Sequence, residues 1–154
     1  MKTRIAVVTA ALSFITAAVC FAANPHVGTW TLNEGKSELA PGMGKNSKVV
    51  YAEMKDKMKV TVDGVDKDGK PTHSVWEGKA DGKGYKSKGN LPWDTTAYKV
   101  VNDRTYDLTA MKEGKVLWTG QSTVSADGKT RTVTFNGTDA DGKKIKAKGV
   151  YDKE

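Results

Sequence analysis

Apolar and polar side chains alternate with a period of two along most of this chain. Met58, Val60 and Val62 alternate with Lys59, Thr61 and Asp63, and Val133 and Phe135 with Thr132 and Thr134. Ile145, Ala147 and Tyr151 alternate with Lys144, Lys146 and Lys148. In 116–124, Val116, Trp118 and Val124 share one side, while Thr119, Gln121 and Thr123 share the other. Successive side chains of a strand point to opposite faces, so this period predicts a sheet with one buried face. The pattern predicts strands at 27–33, 47–54, 58–63, 72–78, 84–88, 95–101, 104–111, 115–124, 130–137 and 144–151. The weakest alternation is at 84–88. The breaks between strands carry Asp-Gly-Lys at Asp68, Asp81, Asp127 and Asp141, with Glu113-Gly114-Lys115 as a variant. Glycine supplies the positive φ that tight hairpin turns need. No window beyond residue 23 has a convincing helical period. A single short helical turn is expected at Lys36–Leu39, ended by Pro41.

The expected fold class is all-β: an antiparallel up-and-down meander of 8–10 strands, closed as a lipocalin-like barrel. An open meander leaves two bare edges that invite aggregation, and closure removes them. A two-sheet sandwich is the rival. Its crossovers need longer connections, for which only 34–46 and 88–94 are candidates. No linker or composition shift divides residues 23–154, so they read as one domain.

The first 22 residues do not fit this pattern. Lys2 and Arg4 precede an uncharged apolar run from Ile5 to Val19, and Cys20 and Ala22 place small residues at the −3 and −1 positions of a cleavage site. This is the layout of a signal peptide, residues 1–22, with Ala23 as the first mature residue. The alternatives are an uncleaved anchor helix or a lipoprotein leader at Cys20, where Val19 is the wrong preceding residue. A periplasmic or secreted protein is expected. Cys20 is the sole cysteine of 154 residues and leaves with the leader, so no disulfide or thiolate site is expected.

Of 25 basic residues, Lys2 and Arg4 leave with the leader; against 18 acidic ones, the mature charge is +5. That favours solubility and weak attraction to anionic envelope surfaces. Nucleic acid is not an expected partner. The lysines at 144, 146 and 148, and at 55, 57 and 59, form charged outer stripes. Such stripes deter edge-to-edge association.

Catalytic motifs are absent: there is no Gly-rich phosphate loop, no Gly-x-Ser-x-Gly elbow, no His-Glu-x-x-His and no cysteine nucleophile. His26 lies beside the expected mature N-terminus and reads as solvated. His73 has no second histidine near it. An isomerase or hydratase would need an acid–base pair, such as His73 or Arg131 with Glu77 or Asp107, and the alternation turns Asp107 outward. Asp66-x-Asp68-Gly69 and Asp139-x-Asp141-Gly142 look like starts of calcium loops, but their flanks read as strands rather than the helices such a loop joins. No cofactor or metal is expected, and the protein does not read as an enzyme.

His26-Val27-Gly28-Thr29-Trp30-Thr31-Leu32 resembles the Gly-x-Trp first strand of the calycin barrels: lipocalins, intracellular lipid-binding proteins and avidins. Lys148 to Glu154 resembles the last strand of the lipid-binding proteins. The chain is also similar to small secreted bacterial proteins with Gly-Thr-Trp-x-Leu-Asn and then Lys-Ser near the mature start, here Gly28–Asn33 and Lys36-Ser37. The resemblance implies a barrel around one small hydrophobic or amphipathic ligand, with Trp30 plugging its base and a basic residue packed over it, for which Arg131 is the analogue. Where lipid-binding proteins carry an Arg two places before the last Tyr, this chain has Gly149. The stretch from Glu34 to Asn46 is too short for their helix-turn-helix lid.

Trp and Tyr suit the wall of a binding cavity because each joins an apolar body to a polar handle. The candidate ligand-binding residues are Trp118, Arg131, Phe135, Tyr106, Trp76 and Trp93. Arg131 shares the parity of Val133 and Phe135, so it points inward if the alternation holds to the strand end, and lies outward on the rim if it does not. An inward Arg can stack on a ring or meet a carboxylate. Trp93 follows Pro92 in a loop, where it would rim an opening. The expected function is binding of a small hydrophobic or amphipathic ligand. The alternative is an envelope-associated interaction protein without a pocket, acting through its basic outer face and Trp93.

Overall fold

Ten antiparallel strands follow one another in the order of the chain: β1 (Gly28–Leu32), β2 (Lys45–Glu53), β3 (Met58–Val65), β4 (Pro71–Gly78), β5 (Asp81–Gly89), β6 (Thr95–Asn102), β7 (Thr105–Lys112), β8 (Lys115–Val124), β9 (Thr130–Thr138) and β10 (Lys144–Lys153). The structure is a computed structural model and describes residues 23–138 and 142–154. The expected leader at 1–22, and the acidic pair Asp139 and Asp141, lie outside the described residues. Among the described residues there is no α-helix, and no helix long and apolar enough to cross a membrane.

Each strand pairs with the next, and β1 pairs with both β2 and β10, which closes the sheet into a barrel. This meander is the expected one, and the sandwich is excluded by its closure. The seam is short on the β1 side, where Trp30 faces Lys153 and Leu32 faces Tyr151. The chain after β1 prolongs it. Asn33 N–H donates to the Val150 carbonyl at 2.8 Å, and Glu38 bridges to Lys148. Between these points lies the one helical turn, a 3-10 turn at Glu34–Lys36 capped by the Asn33 side chain, slightly earlier than the sequence predicts. The Lys36 N–H is shared between the Asn33 carbonyl and the Asn33 side-chain oxygen, both at 3.2 Å.

Three sequence expectations are corrected. Val116 was expected to face inward with Trp118, but it is 57% exposed. A bulge between Ala110 and Met111 pairs Ala110 with Trp118 and Met111 with Val116; it inserts Leu117 and inverts the parity beyond it. Asp81-Gly82-Lys83 does not form a hairpin turn. It opens β5, where the pairing with β6 slips between Asp81 and Gly84 and Gly82 takes φ +83°. His26 is not solvated. It is fully buried, because residues 24–27 turn back across the end of the barrel, with Val27 N–H bonded to the Asn24 carbonyl.

The two ends therefore differ. The base holds the β2–β3, β4–β5, β6–β7 and β8–β9 turns and is plugged by residues 24–27. The mouth holds 33–44, 66–70, 90–94 and 113–114. The core lies inside the lower half, around Trp30, Tyr51, Val60, Tyr98 and Val124.

Candidate functional site

The base is built around Trp30, which is completely buried, as the first-strand resemblance implies. Its indole N–H donates to the His26 carbonyl at 2.8 Å. The His26 ring stacks on Tyr106 at 4.0 Å between centres, and Asn24 donates to the Tyr106 hydroxyl at 3.0 Å. Tyr106 was expected at the ligand; the structure puts it in the basal plug, outside the cavity lining. Burial, and then the nearby Arg131 charge, push the His26 pKa down to about 4, against the pull of the Arg104 backbone.

Arg131 forms the next layer up. It points inward, so the alternation does hold to the strand end, and it is 2% exposed. Its guanidinium lies 4.6 Å from the Tyr151 ring centre, 4.9 Å from Tyr51 and 5.7 Å from Trp30. Nη1 donates to the Tyr51 hydroxyl at 2.7 Å. The Arg131 Nε is buried without a hydrogen-bond partner. Burial raises the Tyr98 phenol well above its ordinary range, and the neighbouring Tyr51 phenol adds to this.

Above this floor the barrel is hollow. A cavity of about 1050 Å³ opens toward the mouth, lined by Val49, Val60, Val62, Trp76, Leu108, Val133 and Phe135 as well as Tyr51, Tyr98, Arg131 and Tyr151. Trp118 and Trp93 line its upper part. Trp118 meets Phe135 at 5.2 Å and Trp93 at 5.3 Å, both edge to face. Trp118 has this position because its partner on β9 is Gly137, where a Cβ would stand 2.9 Å from the Trp118 Cβ. Trp93 thus rims the opening from its loop.

Thr96 was not singled out by the sequence, yet it anchors both remaining indoles. Its carbonyl accepts from Trp76 Nε1 at 2.9 Å, and its hydroxyl accepts from Trp93 Nε1 at 3.1 Å. Ser87 bonds the same hydroxyl at 2.8 Å. A threonine inside a strand carries no motif, so only the packing reveals this role. Asp94 ties the mouth together, accepting from Thr95 Oγ1 at 2.8 Å and from Glu113 N–H at 3.0 Å.

The other titratable candidates lie elsewhere. His73 Nδ1 meets Asp63 across the strands at 2.6 Å on the exposed outer face, and Gln121 donates to Asp107 at 3.0 Å, also outside. Asp66 accepts from the backbone of Asp68 and Lys70 and so serves its own turn. Among the described residues no group of His, Cys, Asp and Glu is placed to hold a metal. The outer lysine stripes are partly neutralised: Lys148 pairs with Glu38, and Lys57 with Glu77.

No family model matches the chain, and no curated protein does. Solved structures are similar in shape. EF1p2_mFAP2b, solved bound to DFHBI, aligns at TM-score 0.48 and 13% identity, over 86% of this chain and 97% of that one. A redesigned β-barrel, mFAP1, also bound to DFHBI, aligns at TM-score 0.42 and 19% identity, over 84% of this chain and 95% of that one.

Proposed function

We propose that the protein is a carrier or receptor that holds one small hydrophobic or amphipathic molecule inside its barrel, outside the cytoplasm. The observation that carries this reading is the cavity of about 1050 Å³, apolar along its walls and open at one end. Its size matches the upper end of the pockets that enclose small ligands, about 300–1,000 Å³. Packing would normally fill such a space, since interiors are close-packed.

The protein works by burial and orientation rather than by chemistry. The acid–base candidates His73 and Asp107 are turned to the outer face, which supports this reading. Residues 1–22 act as an export leader, and intact-mass measurement of protein from the native host tests that: a mass beginning at Ala23 is expected, and one retaining Met1 overturns it.

The function is tested by extracting purified 23–154 with organic solvent and comparing the extract with a denatured control by mass spectrometry. A stoichiometric small molecule is expected. An empty extract, with tryptophan emission unmoved by lipid and aromatic probes, overturns the reading and favours the basic outer face.

A further inference from the structure

We infer that the ligand is an aromatic-ended monoanion, an aryl-alkanoic acid, with its carboxylate on Arg131 at the floor and its ring against Phe135, Trp118 and Trp93 at the mouth. This rests on the binding reading above and names the class of molecule that the same cavity takes.

The first observation is the state of Arg131. It is a fully desolvated cation that lines the cavity, and no carboxylate among the described residues forms an ion pair with it. Three ring faces and one hydroxyl surround it, while Nε has no partner. Ring faces offset a cation's lost hydration only in part, and a buried charge without a counter-charge is costly. A carboxylate entering from the cavity supplies that charge in the geometry a guanidinium recognises best. At the mouth, Lys45 pairs with Glu34 at 2.6 Å and Lys67 with Asp68 at 2.8 Å, while Lys70, which also lines the cavity there, lies in an exposed turn where water competes with an anion.

The second observation is what stands above the guanidinium. Arg131, Val133 and Phe135 point into the barrel in succession along β9. Four residues of strand separate the Phe135 backbone from that of Arg131 by about 13 Å along β9. The space between is bounded by apolar groups such as Val60, Leu108 and Val133. At the top, Phe135, Trp118 and Trp93 form a continuous aromatic wall. Charge at one end, an apolar middle and rings at the other describe an acid joined by a flexible chain to an aryl group.

The test titrates solvent-stripped 23–154 with ω-phenyloctanoate, ω-phenyloctanol and tetradecanoate, followed by calorimetry and tryptophan emission. Tetradecanoate has the same carbon count as the phenyl acid but no ring. The acid is expected to bind about tenfold tighter than the alcohol, and several-fold tighter than tetradecanoate. In Arg131→Met the preference for acid over alcohol should vanish. In Arg131→Lys part of it should remain. In Phe135→Leu the preference for phenyl over alkyl should shrink while acid still beats alcohol. Near-UV circular dichroism establishes that each variant is folded. Acid and alcohol binding equally would overturn the anion site while leaving the cavity reading intact. Tetradecanoate equal to the phenyl acid would overturn the aromatic end. No binding by any probe would overturn both readings.

Discussion

The Tyr51 hydroxyl accepts a 2.7 Å hydrogen bond from Arg131, across 80 positions of sequence, in the buried layer between plug and cavity. The Tyr51 ring also meets Tyr98 edge to face at 6.3 Å. Tyr51→Phe removes one oxygen and leaves a buried guanidinium N–H without its acceptor. The expected loss is about 1–3 kcal/mol of stability, read from urea unfolding. Tyr85→Phe is the control. That hydroxyl bonds Asp81 in solvent at 3.0 Å, and its removal should stay within about 0.5 kcal/mol.

His26 gives the protein a pH dependence with a defined sign. The group is neutral and buried in the folded chain, with a pKa near 4 in place of 6.5. The unfolded chain takes up its proton first as pH falls below 6.5, so stability drops between pH 6.5 and 4 and levels off below. The full effect is about 3 kcal/mol. The positive charges of Arg131 and Lys153 both disfavour its charge. His26→Phe keeps an aromatic ring on Tyr106 and should lack this drop. Surface carboxylates held low by their bonds, such as Asp66 and Asp127, titrate in both proteins and cancel in the difference. Equal pH profiles for the two proteins would rule the mechanism out.

At the mouth, the Trp93–Trp118 contact predicts measurable coupling. Trp93→Leu, Trp118→Leu and the double variant should give an interaction energy of about 0.5–1.5 kcal/mol in a thermodynamic cycle. Strict additivity would mean the rings do not meet in solution.

Gly78 predicts a steric lesion. Its missing side chain is the seat of Tyr85: a Cβ there would lie 2.5 Å from Tyr85 Cγ and 2.7 Å from Trp76 Cζ2. The two rings meet edge to face at 5.9 Å over it. Gly78→Ala should destabilise by about 1–3 kcal/mol, with a changed near-UV tryptophan signal. A neutral effect would show that Tyr85 is free to move aside.

The strands were legible because each buries one face, and burial writes a period of two into the sequence. Arg131, Val133 and Phe135 keep that period to the end of β9, so the parity that predicts an inward arginine is sound. Val116 fails for the same reason in reverse: one residue inserted by a bulge reverses the alternation, and nothing local marks the insertion. Asp81-Gly82 reads as a turn because a bulge needs the same positive φ. His26 was missed because its burial comes from strands distant in sequence, β2 and β7, and a lone histidine beside a strand carries no period. The size of the cavity was not legible, since the sequence shows which residues face inward but not whether they fill the space.

The meeting of β1 with β10 sets the order in which the molecule can be finished. Thr31 bonds Glu154 across 123 positions, so β1 cannot be sealed until β10 exists. During synthesis the growing meander carries an unpaired edge on β1 and another on its newest strand, the surfaces most prone to stick to other chains. Loop closure over that span also makes the seam a late and slow event in folding. Loss of residues 151–154 would remove the β10 side of this seam, and with it the Lys153 side chain that now lies 5.1 Å over the Trp30 ring.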